Sequence, residues 1–210
     1  MTNVLLIKGN DRPSTDSVSV KMYETFLQEV QKKEEVSVTI YDVYAENTPF
    51  MGQVLFSAFN KLQNGSELSK EEQEILAAKQ KAMDLVTAAD VLVVAFPMWN
   101  LTIPAKLQTF IDYIFAAGYA FKYDAQGNMV PLLTDKKVIL LGARGGVYSI
   151  PEMQALEMSA NYLSNTFGGI FGMEILDTVI IEGHAAQPSQ AEEIIQNGLE
   201  KVKESVAKIS

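Results

Sequence analysis

The fold is decided by residues 91–104, which read VLVVAFPMWNLTIP. Six consecutive apolar residues (91–96) end at a proline, and a helical pattern of apolar positions starts after Pro104. A short apolar run of this kind is typical of a parallel β-strand that is covered on both faces. The loop between this strand and the helix then lies at the carboxyl end of the sheet, where open α/β sheets bind their ligands.

Residues 97–101 in this loop suit a flat ligand that forms hydrogen bonds. Trp99 offers an aromatic face, and Asn100 offers both a donor and an acceptor. A purely structural interpretation is also open, in which Met98 and Trp99 fill a crevice between helices. From this loop alone the two interpretations are equally good, so the choice depends on the other loops at the same edge.

The rest of the chain predicts an α/β fold with a doubly wound parallel sheet, because four apolar runs alternate with helical patterns. A fifth run, residues 36–41, alternates apolar and polar residues, which is typical of a half-exposed edge strand. Five strands with the second at an edge predict the flavodoxin-like order 2-1-3-4-5. The four apolar runs are residues 4–7, 91–96, 138–142 and 175–181.

The length of the chain predicts a single domain over residues 1–210, because a second independent core would be cramped. No apolar stretch reaches the roughly 20 residues that span a bilayer, which argues against a membrane protein. The apolar run near the amino terminus is too short for the core of a signal peptide. We therefore expect a cytoplasmic protein.

Charge and residue types narrow the chemistry. The net charge of −9 disfavours nucleic acid and anionic membranes as partners, since both bind through clustered Lys and Arg. The chain has no Cys, which excludes disulfides, thiolate nucleophiles and thiol-based metal sites. The only histidine, His184, follows Gly183 in a predicted loop, where a surface position is the simpler interpretation. We expect no metal, and any redox chemistry needs a bound cofactor.

Two segments exceed what a minimal five-stranded core requires. Apolar positions in residues 50–62 predict an extra helix. A further helix is predicted to begin at Ser69, because Ser69 and Glu72 have the spacing of a capping box. Residues 118–130 alternate aromatic and polar residues around a polar turn at 124–128, which predicts a hairpin excursion.

The loop after the first strand, residues 8–19, is a candidate phosphate site. It precedes a predicted helix, and the free N–H groups at a helix N-terminus bind phosphate, as do hydroxyls such as those of Ser17 and Ser19. It lacks the glycine patterns of nucleoside triphosphate and dinucleotide sites, which leaves a monophosphate as the better prediction. Taken alone, simple capping of the helix by Asp16 or Ser17 explains the loop more economically.

The loop after the fourth strand contains Gly145 and Gly146. Two glycines permit close approach of the backbone to a planar ligand, and backbone N–H groups or Arg144 would hold electronegative ring atoms. A glycine-rich turn without a ligand is also an adequate explanation. The coincidence of three such loops at one edge favours flavin mononucleotide (FMN), with its phosphate at the first loop and its ring between the other two.

With these motifs the chain resembles, over nearly its whole length, the FMN-dependent NADH-azoreductases, a flavodoxin-like family of NAD(P)H:quinone oxidoreductases. The resemblance implies non-covalently bound FMN and NADH or NADPH as co-substrate. The residues that it implies for FMN binding are Asn10, Arg12, Ser17, Val18 and Ser19 at the phosphate, Pro97, Met98, Trp99, Asn100 and Leu101 on one side of the ring, and Ala143, Arg144, Gly145, Gly146 and Tyr148 on the other.

The resemblance also implies a ping-pong reaction, in which NADH transfers hydride to the flavin and a quinone or azo compound is then reduced in the same pocket. No catalytic side chain is required, although Tyr148 is a candidate proton donor. Members of the family are homodimers, which gives the extra helix and the hairpin a role and makes Phe121 and Tyr123 candidates for the substrate pocket. The alternative is a flavodoxin-type electron carrier, which needs neither extra segment.

Overall fold

The computed structural model describes residues 1–209. Its strands are β1 (Thr2–Lys8), β2 (Val36–Asp42), β3 (Val91–Pro97), β4 (Phe121–Tyr123), β5 (Met129–Pro131), β6 (Lys137–Arg144) and β7 (Glu174–Glu182). Five of them form a parallel sheet in the order β2-β1-β3-β6-β7, and β4 and β5 form an antiparallel hairpin. Counted along the sheet alone, this order is 2-1-3-4-5, so the predicted flavodoxin-like fold is confirmed.

Helices cover both faces of the sheet. They are α1 (Val18–Val30), α2 (Gln53–Gln63), α3 (Lys70–Ala88), α4 (Ala105–Ile114), α5 (Ala160–Ser164) and α6 (Ala191–Val206). Helices α1 and α6 pack on one face, and α3, α4 and α5 pack on the other. None of the helices within residues 1–209 is long and apolar enough to cross a membrane.

The burial of β3 explains why a continuous apolar sequence predicted a strand at this position. All seven of its residues are buried, and they alternate between the two cores. Val93 packs with α1 and α6, whereas Val94 packs with α3 and α4. Because helices cover both faces of β3, no face of the strand carries polar side chains, and its sequence does not alternate. The loop that follows β3 lies between the two helical layers.

Both predicted excursions are present. The extra helix is α2, and the helix after it begins at Ser69 with the predicted capping box, in which Glu72 N–H donates to Ser69 Oγ (3.2 Å) and Ser69 N–H donates to the Glu72 carboxylate (2.7 Å). The hairpin of β4 and β5 turns at Asp124, whose carboxylate accepts the N–H groups of Gln126 and Asn128. Each excursion leaves large apolar side chains exposed, among them Phe56 on α2 and Tyr123 on the hairpin.

Candidate functional site

The carboxyl ends of β1, β3 and β6 surround a cavity of about 360 Å³. This volume lies in the range of roughly 300–1,000 Å³ that is usual for small-molecule sites. Most of the residues predicted for FMN binding line it: Asn10, Arg12, Ser17, Val18, Ser19, Pro97, Met98, Trp99, Ala143, Arg144 and Gly145. The three loops singled out in the sequence therefore do meet at one site.

The first loop is organised by the buried amide of Asn10, which is 2% exposed. Its Nδ2 donates to Ser17 Oγ (2.8 Å) and to Ser19 Oγ (3.0 Å). Its Oδ1 accepts the N–H of Arg12 (3.1 Å), which fixes the orientation of the amide. Asn10 therefore donates to both serine hydroxyl oxygens, and the proton of each hydroxyl is not used in these bonds.

Ser17 is the N-cap of α1, and its Oγ also accepts the N–H of Val20 (3.3 Å). The capping interpretation is thus correct, but it does not compete with anion binding. Two accepted hydrogen bonds occupy both lone pairs of Ser17 Oγ, so its proton is available to Ser19 Oγ (3.1 Å) or to a ligand. Within the described chain, the N–H groups of Val18 and Ser19 have no acceptor, as expected for a helix N-terminus.

Charged side chains at this end of the cavity favour an anion. Arg12 and Lys21 line it together with one carboxylate, that of Asp16. Two cations against one anion, added to the positive end of the α1 dipole, suit a phosphate.

The second loop adopts a strained turn after β3. Trp99 and Thr102 exchange backbone hydrogen bonds (2.9 and 3.1 Å), and the two residues between them have positive φ angles, 49° at Asn100 and 73° at Leu101. Such angles are uncommon for residues other than glycine. Pro97, Met98 and Trp99 line the cavity, whereas Asn100 lines an adjoining hollow of about 480 Å³ on the other side of Trp99.

The third loop is tied to the loop after β7. Gly145 O accepts the N–H groups of Ala185 and Ala186 (both 3.1 Å). A Cβ at Gly145 would lie 2.9 Å from Ala185 Cβ, and a Cβ at Gly146 would lie 3.0 Å from Tyr148 Cε2. The close approach that these glycines permit is thus to other parts of the protein. Their own N–H groups have no acceptor among residues 1–209 and remain available to a ligand.

The guanidinium of Arg144 is held by two carboxylates rather than left free for ring atoms. It pairs with Glu182 (2.8 Å) and with Glu157 (3.2 Å), and its own side chain is 8% exposed. Burial by itself raises the pKa of both carboxyls, but the hydrogen bonds that they accept outweigh it, so the pKa of each lies below its ordinary value. This buried ion cluster anchors the glycine loop at Arg144, the residue directly before Gly145.

Six of the predicted residues lie outside the main cavity. Asn100, Leu101, Gly146, Tyr148 and the hairpin residue Tyr123 do not line it. The Tyr148 ring stacks over the Arg144 guanidinium, with 5.6 Å from Cζ to the ring centroid. Tyr123 is 60% exposed on the hairpin.

Phe121 also lies outside the cavity, in the apolar core. Its ring is 5% exposed and packs edge-to-face against Phe115, with ring centroids 5.2 Å apart. Phe121 therefore serves packing, whereas Tyr123 is the exposed aromatic residue of the hairpin.

Five further residues line the cavity that were not predicted to bind FMN. They are Thr15 and Asp16 in the loop before α1, Lys21 in α1, His184 in the loop after β7, and Ile195 in α6. His184 was expected at the surface, but it is half-buried, its Nδ1 is buried without a partner within the described residues, and burial followed by the charge of Lys21 lowers its pKa. Its position after β7, at the same sheet edge as the other loops, was the available signal.

The residues present fit FMN. One end of the cavity offers the hydroxyls of Ser17 and Ser19, free helix N–H groups and two cations, which is a donor set for a phosphate. The other end offers the apolar faces of Met98 and Trp99 and the free N–H groups of the glycine loop, which suit a planar ring with electronegative edge atoms.

Comparisons with known proteins agree with this geometry. Residues 2–206 match a family described as having a flavodoxin-like fold. The chain is 46% identical over 206 residues to FMN-dependent NADH:quinone oxidoreductase 2 of Halalkalibacterium halodurans, covering 97% of each protein. It is similar to the crystal structure of an azoreductase from Bacillus anthracis str. Sterne, with a TM-score of 0.90, 42% identity and coverage of 99% of this chain and 100% of that one. It is also similar to an FMN-dependent NADH-azoreductase from B. anthracis str. Ames Ancestor in complex with FMN, with a TM-score of 0.87, 27% identity and 99% coverage of both chains.

Proposed function

The chain belongs to the family with a flavodoxin-like fold, and we propose that it is an FMN-dependent NADH:quinone oxidoreductase that also reduces azo compounds. The observation that carries the proposal is one cavity that joins the donor-rich start of α1 to the Trp99 and Gly145 loops. When bound there, FMN supplies a ring that accepts hydride from NADH and passes the reducing equivalents to the acceptor.

The role of the protein is to bind FMN and to orient its ring. Ser17, Ser19 and the N–H groups at the start of α1 would hold the phosphate, with Arg12 adding positive charge. Pro97, Met98 and Trp99 would lie along one side of the ring, with Asn100 and Leu101 in the adjoining turn. The free N–H groups of the glycine loop would lie at its polar edge. Ala143 and Arg144 contribute through the backbone, because the guanidinium is committed to carboxylates. The reduced product would take its proton from water. The Tyr148 hydroxyl is the candidate donor if the proton comes from the protein.

Asn100→Ala should lower turnover about tenfold while FMN affinity changes less, because hydrogen bonds from the Asn100 amide, worth about 1 kcal/mol each, would orient the ring from the adjoining hollow rather than hold its phosphate. Steady-state kcat and an FMN titration measure the two effects. Since Asn100 has a φ of 49°, alanine also adds backbone strain, and Asn100→Gly separates the two causes. Normal turnover in the glycine variant would assign the loss to strain and remove Asn100 from the ring site.

We further propose that the protein is a homodimer whose interface includes the exposed face of α2. Apolar side chains on and before this helix are open to solvent: Phe50, Met51, Val54, Phe56, Phe59 and Leu62. Large apolar side chains exposed together on one helix mark an interaction site, and the exposed hairpin residue Tyr123 would supply a second contact. A second copy that covers α2 would explain why the fold retains this helix.

Phe56→Glu should convert the dimer to a monomer, because it places a charge in the apolar face, where Phe56 is 55% exposed. Sedimentation velocity measures the change in mass. Glu71→Lys on α3 is a charge change outside that face and should leave the dimer intact. A wild-type protein that sediments as a monomer at micromolar concentration would contradict the proposal.

The chain is further proposed to be a single FMN-binding domain over residues 1–210 and to act in the cytoplasm. All the long strands share one sheet, and both apolar cores lie against that sheet, which supports one domain. The chain has no Cys to oxidise and uses NADH, which supports a reducing compartment.

The proposed function is tested by the visible spectrum of the purified protein. A yellow protein should bleach when NADH is added without oxygen and regain its colour when a quinone is added. A flavodoxin-type carrier would stay yellow for far longer in NADH, because it lacks a productive nicotinamide site. A colourless protein that does not take up added FMN would contradict both activities.

A further inference from the structure

Residues 157–158 lie between the two loops that face the ring. The Glu157 carboxylate, 6% exposed, pairs with Arg144, the residue directly before Gly145. The next residue, Met158, donates its N–H to Leu101 O (3.0 Å). Met158 O in turn accepts from Thr102 Oγ1 (3.4 Å). Glu157 and Met158, which are adjacent in the chain, thus contact the two loops on opposite sides of the proposed FMN cleft.

The Glu157 carboxylate is itself fixed by the start of α5. It accepts the N–H groups of Ser159 (3.1 Å), Ala160 (2.9 Å) and Asn161 (2.9 Å) and also the hydroxyl of Ser159. Burial alone would raise the pKa of Glu157, but these hydrogen bonds lower it, so the carboxylate is ionised at neutral pH. An anion held by a helix N-terminus is a rigid anchor for the Arg144 guanidinium.

The loop on the other side needs such an anchor. Asn100 and Leu101 both have positive φ angles, and residues other than glycine persist in that conformation only when their surroundings hold them there. The Trp99–Thr102 backbone pair closes the turn from within, and the Met158 N–H is the bond that holds Leu101 from outside. Displacing residues 157–158 would release this turn.

We propose that Glu157 is a positioning residue that couples the Arg144 loop to the Leu101 loop and so sets the width of the FMN cleft. The identity of the ligand rests on the proposed function, but the coupling between the loops rests on the bonds described above. Glu157 touches no reacting atom; it acts through Arg144 and through the backbone of Met158.

The coupling is tested by amide hydrogen exchange in FMN-free protein. Glu157→Ala should speed exchange about tenfold at the hydrogen-bonded amides of both loops, because the anchor that they share is lost. These amides are Met98, Trp99 and Thr102 in residues 97–104 and Tyr148 in residues 144–149. The same variant should raise the dissociation constant of FMN about tenfold, the effect of one lost hydrogen bond to a charged group. Glu157→Gln keeps one acceptor oxygen and should show a smaller change of both kinds; it also serves as the test variant if the alanine variant does not fold.

Val30→Ala is the matched control, because it opens the core at the far end of α1 and lowers stability without touching either loop. It should leave loop exchange and FMN affinity unchanged. Unchanged exchange in residues 97–104 of the Glu157 variants, or the same change in Val30→Ala, would overturn the coupling. Failure of the wild type to bind FMN would instead contradict the proposed function, since exchange is measured without FMN.

Discussion

Arg144→Met should lower the free energy of unfolding by about 3–5 kcal/mol at pH 7, which is the usual result of removing one partner from a buried ion pair. Arg144 is 8% exposed, and its partners Glu157 and Glu182 are 6% and 19% exposed. Methionine fills much of the space of the arginine stem, so the loss comes from two carboxylates left without their cation. Urea unfolding of both proteins at pH 7 measures it.

The dependence on pH gives this prediction a second test. A carboxyl whose pKa is lowered in the folded state adds stability above its ordinary pKa of 4.5 and loses it as the pH falls through the folded value. In Arg144→Met the pKa of Glu182 should rise, because the hydrogen bond and the charge of Arg144 help to lower it, so the variant gains stability relative to the wild type on acidification. The difference in unfolding free energy should therefore shrink below about pH 4.5.

Arg144→Lys is the control for charge. Lysine retains the cation but not the planar fork that contacts two carboxylates, so its loss should be smaller than that of methionine. Equal losses in the two variants would show that fork geometry, and not charge, carries the stability. An unchanged difference between pH 7 and pH 4 would contradict the assignment to unpaired carboxylates.

The strand order and the three site loops were predictable because their signals are local. The apolar run of β3 and the alternation of β2 each identify a strand from fewer than ten residues, and parallel strands place their following loops at one edge. The capping box at Ser69 and the turn at Asp124 likewise depend on side chains within four residues of each other. Such features can be predicted from the sequence because all the residues that form each one lie in a single short segment.

The cluster of Arg144 with Glu157 and Glu182 was not predictable, because its members are far apart in the chain and meet only after β6, β7 and α5 have packed. The strained turn at Asn100 and Leu101 gave no signal either. Positive φ angles are usually indicated by glycine, and here they are held by the Trp99–Thr102 backbone pair together with the tertiary hydrogen bond from Met158 N–H to Leu101 O. The glycines that did attract notice, such as Gly145, serve contact between loops of the protein itself.

Replacing both Ser17 and Ser19 by alanine should raise the dissociation constant of FMN about 100-fold or more. Each hydroxyl retains a proton for the phosphate, since Asn10 Nδ2 donates to both oxygens. Two hydrogen bonds to a charged group, at about 1.5 kcal/mol or more each, correspond to that factor. Titration of the FMN-free protein, followed by flavin absorbance, measures it.

Riboflavin and a second helix cap show whether this loss belongs to the phosphate. Riboflavin has the same ring without a phosphate, so the double variant should bind it as the wild type does. Ser69→Ala removes the corresponding cap of α3, where the Glu72 N–H loses its acceptor, and should lower stability by about 1 kcal/mol without changing FMN affinity. Because the double variant also leaves the buried Asn10 amide without its acceptors, a loss shared by FMN and riboflavin would indicate a disordered loop. A loss confined to FMN would place the phosphate at the start of α1, and unchanged FMN affinity would place it elsewhere.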